Sequence, residues 1–68
     1  MPLTVEVEPE DDGRWLAEVP ELVGVLAYGA TRAEAVDRVQ ALALRVLADR
    51  LDHGEAVPQM DSVFAVTP

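Results

Sequence analysis

His53 is the single histidine of the 68-residue sequence and the first place to look for chemistry. A metal site built on it would have to recruit Asp49, one helical turn back, together with Asp52 or Glu55. Zinc sites want several nitrogen or sulfur ligands, and there is no cysteine to supply them. His53 reads better as a cation-capable side chain at the negative end of a helix. Nucleophilic catalysis would fall to Ser62 or a threonine with no adjacent base. Carboxylates are abundant, but a two-metal nuclease needs acids converging from separate elements. Glu6, Glu34 and Asp61 are the only conceivable set, and Glu34 has another task at a helix start. The four glycines, at 13, 24, 29 and 54, punctuate boundaries and form no phosphate-cradling loop. The residues therefore predict neither an enzyme nor a bound cofactor or metal.

What remains is charge and shape. The formal net charge is −8, and residues 1–30 carry Glu6, Glu8, Glu10, Asp11, Asp12, Glu18 and Glu21 against Arg14 alone. From Thr31 to His53 four acids face four arginines, so that segment is neutral. A surface this negative repels a phosphate backbone, which argues against direct nucleic-acid binding. It favours encounter with a basic protein. Trp15 and Tyr28 are candidate recognition aromatics on strands, where cross-strand packing is the competing role. With Glu10, Asp11, Asp12, Glu18 and Glu21 they make up the candidate partner-binding set.

The elements that would position these residues follow from periodicity and punctuation. Residues 3–8 alternate apolar and polar, with Leu3, Val5 and Val7 on one face. "PEDDG", Pro9 to Gly13, is turn chemistry, and Arg14 to Val19 makes the hairpin partner. Pro20 ends that strand, since it has no ladder donor. A tight corner to Gly24, a third strand over 25–28 and a break at Gly29-Ala30 come next. Thr31 and Glu34 have capping-box spacing: the Thr31 hydroxyl takes the Glu34 N–H, and the Glu34 carboxylate returns to the Thr31 N–H. The helix that follows has a stripe of Val36, Val39, Ala43, Val46 and Leu47, widened by Ala35 and Leu42. Gly54 is a C-terminal stop. Ser62 to Val66 predicts a fourth strand. The expected fold is α+β, a two-layer β-β-β-α-β arrangement: a small, mostly antiparallel sheet covered on one face by one long helix. If the fourth strand lies parallel to the first, the helix is a right-handed crossover.

A chain of this length makes one domain, 1–68, with a marginal core, and no disulfide can supplement it. Self-association is the favoured remedy. Leu44, Ala48 and Leu51 lie off the helix stripe, and a helix of about 22 residues, ~33 Å, overhangs short strands. These three are the candidate self-association residues, in a dimer or larger species. No run approaches the ~20 apolar residues of a membrane span, and the N-terminus lacks a basic, apolar secretion pattern. The expected compartment is the cytoplasm.

The stretch "VPELVGVLAYGATRAEAV" resembles the signature of the HicB-like antitoxin family: Pro-acidic-Leu-Pro-Gly, a short strand, Gly-x-Thr, two residues, Glu-Ala. Pro20, Glu21, Leu22, Gly24, Gly29, Thr31, Glu34 and Ala35 fall on those positions in register. "DDGRWLAEV" is similar to the family's second strand and "HGEAVP" to its post-helix segment. Val23 stands where a second Pro is usual, and Ala30 where an acid is common. The resemblance implies a partial ribonuclease-H-like fold. It also implies a partner, a small basic HicA-like RNase toxin whose active site the domain masks. Many family members continue into a DNA-binding domain; no separate one is expected within these residues, so promoter binding is not carried over. The second reading is a stand-alone HicB-like oligomer, structural or ligand-binding, with no toxin partner.

Overall fold

A computed structural model describes residues 3–67. Three short strands, β1 (Glu6–Pro9), β2 (Trp15–Glu18) and β3 (Leu26–Gly29), precede one helix, α1 (Arg32–Asp52), and a 3₁₀ turn, Pro58–Ser62. The strands form one antiparallel sheet in the order β1-β2-β3, and α1 packs across one face. The α+β, two-layer architecture is the expected one.

Register decides which side chains meet the helix. Val7, Ala17 and Ala27 line up across the three strands on the inner face. The core joins Ala17, Val19, Leu22 and Val25 to Ala35, Val39, Ala43 and Leu47 of α1, with Val57 beyond. Leu3, Val5 and Val7 pack against it, as alternation predicts. The regular ladder of β1 begins only at Glu6, because Thr4 would face Pro20, which has no N–H to donate. The Glu21 carboxylate substitutes for the missing strand: the Thr4 N–H donates to both of its oxygens, at 3.1 Å each.

The connection from Val19 to the helix is closed by consecutive turns. Leu22 N–H donates to Val19 O (3.0 Å), and Val25 N–H to Leu22 O (3.1 Å). Gly24 has φ +82° in the second of these turns, a region other residues rarely adopt. Gly29 is needed for a different reason. A Cβ there would overlap the Ala35 backbone nitrogen, so the end of β3 touches the first turn of α1 directly.

Thr31 is the N-cap, its Oγ1 accepting the Glu34 N–H at 3.1 Å. The reciprocal half of the expected box is displaced by one residue. Glu34 Oε1 accepts the Ala30 N–H (3.4 Å), not that of Thr31, and the same oxygen is 2.7 Å from Arg38 Nη2. Arg38 sits one turn further along and shares the carboxylate, and its Nη1 also donates to Tyr28 O (3.0 Å). The buried line of α1 is Ala35, Val39, Ala43 and Leu47, with Leu42 and Val46 packed beside it. Val36, expected on the main stripe, is only half-buried, because the close contact at Gly29 centres the helix on Ala35. At the other end Gly54 N–H donates to Leu51 O and Glu55 N–H to Arg50 O, the paired bonds of a Schellman stop.

The expected fourth strand over Ser62 to Val66 does not form. Ser62 closes the 3₁₀ turn, and Val63–Thr67 joins no strand among the described residues. Pro58 starts the turn, and Met60 O then accepts both the Val63 N–H (3.0 Å) and the Phe64 N–H (2.8 Å). Those local bonds take the donors that would have opened a ladder. Among the described residues the sheet therefore keeps three strands, with no parallel crossover.

Candidate protein-binding face

The face of the sheet turned away from α1 is uncovered. Two cross-strand rows run over it: Glu6, Glu18 and Leu26, then Glu8, Leu16 and Tyr28. Leu26 and Tyr28 are exposed and Leu16 is half-buried. Glu6, Val7, Glu8, Leu16 and Glu18 border a shallow depression of about 240 Å³. Glu6 stands directly opposite Glu18, an unfavourable like-charge pair. Among the described residues none of Glu6, Glu8 and Glu18 has a cationic partner. The face thus holds unneutralised carboxylates beside an apolar band.

Its upper margin is built by the β1–β2 turn. Gly13, at φ +89°, lets Glu10 O take the Gly13 N–H, and Glu10 N–H reaches Arg14 O at 2.7 Å. Asp12 accepts the Arg14 backbone N–H (3.0 Å) and its Nε–H (2.7 Å). The backbone bond first, and the guanidinium second, hold the Asp12 carboxyl below its ordinary value. The same guanidinium lies 4.3 Å from the Tyr28 ring centroid. It joins turn and face through a cation–π contact.

The structure gathers only part of the predicted partner-binding set. Glu18 and Tyr28 lie on the uncovered face, and Glu10, Asp11 and Asp12 sit at its end. Trp15 lies opposite Pro9 and Gly29 on the inner side, packed against the core. Glu21 is at the corner, bound to Thr4. Hydrogen bonding from the Thr4 hydroxyl, reinforced by backbone N–H groups, holds its carboxyl below the usual glutamate value. Glu6, Glu8, Leu16 and Leu26 belong to the face and were not singled out. The alternation of residues 3–8 carries the signal for Glu6 and Glu8, whereas Leu16 and Leu26 become visible only with the register.

The residues first considered for chemistry are dispersed. His53 is the C-cap of α1, its Nδ1 2.7 Å from Asp49 O and 3.4 Å from Asp49 Oδ1. Among the described residues no group of three or more His, Asp or Glu side chains gathers to hold a metal, and Glu6, Glu34 and Asp61 lie on separate elements. Leu44, Ala48 and Leu51 are exposed on α1. No helix among the described residues is long and apolar enough to cross a membrane. No family model matches the chain, and no curated protein or solved structure matches it either.

Proposed function

We propose that this protein is an antitoxin-type binding module of the HicB-like kind, whose uncovered sheet face takes a small basic RNase and masks its active site. The observation that carries the reading is the facing pair Glu6 and Glu18, without a counter-charge among the described residues, beside the apolar side chains of Leu16, Leu26 and Tyr28. A partner side chain bearing Lys or Arg would relieve the repulsion between the two carboxylates. Leu26 and Tyr28 would supply the apolar contact that gives such an interface its residence time. The Glu10–Asp12 turn would add to the long-range field and steer encounter. The chain acts here by covering a surface rather than by catalysis, and the proposal sets the complex in the cytoplasm, where an RNase meets transcripts.

The test is inhibition. The product of a short basic reading frame beside the gene is assayed for RNA cleavage, with and without this chain. Stoichiometric inhibition that is lost in the Glu6→Gln, Glu18→Gln double variant supports the reading. Full cleavage in the presence of the unaltered chain, or an absent basic neighbour, gives the place to the stand-alone oligomer.

A further inference from the structure

The surface opposite in character to the sheet face lies along α1 and the 3₁₀ turn. Two adjoining grooves, of about 290 Å³ and 270 Å³, share Leu3 and Leu44. One continues to Val5, Ala43 and Gln40, the other to Leu47, Met60 and Val63. Among the described residues, none lining either groove carries a charge. In a chain of net charge −8 this is unusual ground, and it offers nothing to a basic partner. Two copies of so acidic a chain repel one another except where they meet through an uncharged surface.

Beside these grooves the chain presents largely exposed apolar side chains. Phe64 is 66% exposed and Val66 93% exposed. The Val63 and Phe64 N–H groups are both bound to Met60 O, which fixes the root of the segment. Val63 lines its own groove, while Phe64, the next residue, does not line it and is largely exposed. A projecting apolar knob and an open apolar groove thus share one patch. That is the condition for an isologous, two-fold contact, in which each copy presents both halves.

We propose that a second copy of this chain docks on this face, each copy seating its Phe64 in the other's Leu3–Leu44 groove. Leu44, 65% exposed, lines both grooves, and it becomes buried in the pair. The sheet face is left free, so the inference does not depend on a toxin partner.

Sedimentation equilibrium on the full chain tests it, with Leu44→Glu to spoil the groove and Phe64→Ser to remove the knob. Both positions are exposed, and circular dichroism verifies that each variant keeps its fold. The unaltered chain is expected to be a dimer at micromolar concentration. Each variant alone should weaken the dimer about tenfold or more, as loss of a central apolar anchor does. The two variants mixed should associate better than either alone, because one intact knob then meets one intact groove. A monomeric parent chain overturns the proposal. So does a dimer indifferent to either substitution, or a mixture no tighter than its components. If Phe64→Ser lowers stability with no change in mass, the segment packs on its own chain and the proposal is likewise overturned.

Discussion

The connection from Val19 to Glu34 and the segment from Val63 to Thr67 differ in how many constraints each residue answers. In the connection nearly every position is held twice. Leu22 is buried and also links two turns, its N–H bound to Val19 O and its O to the Val25 N–H. Gly29 ends β3 and makes room for Ala35. Thr31 caps α1, and Glu34 gives its N–H to that cap while its carboxylate binds Ala30 and Arg38. The terminal segment is held at its root, through Met60, and its apolar side chains are exposed. Overlapping local constraints make the connection part of the folding unit. The tail's apolar content serves folding little and is free for contact with another surface.

Gly29→Ala should break this contrast most severely. The added methyl meets backbone atoms of α1, which cannot swing away, so a loss of about 3 kcal/mol is expected, at the upper end for overpacking. Urea denaturation measures it. A variant as stable as its parent would mean that the strand and helix are not in contact there. Thr31→Ala should cost about 1 kcal/mol, with a lower midpoint and an unchanged slope.

Acid should act on the connection through Glu21. Its folded carboxyl titrates below the ordinary 4.5, and that of Asp12 below 3.8. Both contribute stability above those values that is lost as pH falls through the depressed folded values. Glu21→Gln should therefore flatten the fall in stability below about pH 4.5, which thermal melts across the acid range would detect. Asp12 would leave a smaller residual slope at lower pH. The smallest effect belongs to the tail. Ala65→Val in a dilute sample should move the denaturation midpoint by less than the equivalent of about 0.5 kcal/mol. A loss comparable to that of Gly29→Ala would show the tail to be part of the folding unit after all.

The same contrast explains what could be read in the sequence. Capping spacing, turn glycines and alternation act within a few residues, so Thr31, Gly13, Gly24, Gly54 and the inward set Leu3, Val5 and Val7 were all legible. The fourth strand was not, because "SVFAV" has strand-like composition but a strand also needs a partner edge. Its root instead closes locally on Met60. Of the candidate face, its acidity and two of its exposed residues, Glu18 and Tyr28, were readable. The inward side of Trp15 was not, because β2's register is set by the β1–β2 turn rather than by the residue itself. The bond of Glu21 to Thr4 was not legible either, because it spans 17 residues.

If the uncovered sheet face receives a basic protein through its carboxylates, as proposed, the encounter must depend on salt. Surface plasmon resonance against the product of a short basic reading frame found beside the gene, at several salt concentrations, tests it directly, using the parent chain, the Glu6→Gln, Glu8→Gln, Glu18→Gln variant and Leu44→Glu. The parent's association rate should fall as added salt shortens the Debye length from about 10 Å at 0.1 M. The triple variant should associate about tenfold more slowly at low salt. Leu44→Glu, on the other face, should bind as the parent does. Salt-independent association, with the triple variant matching the parent, would contradict the claim.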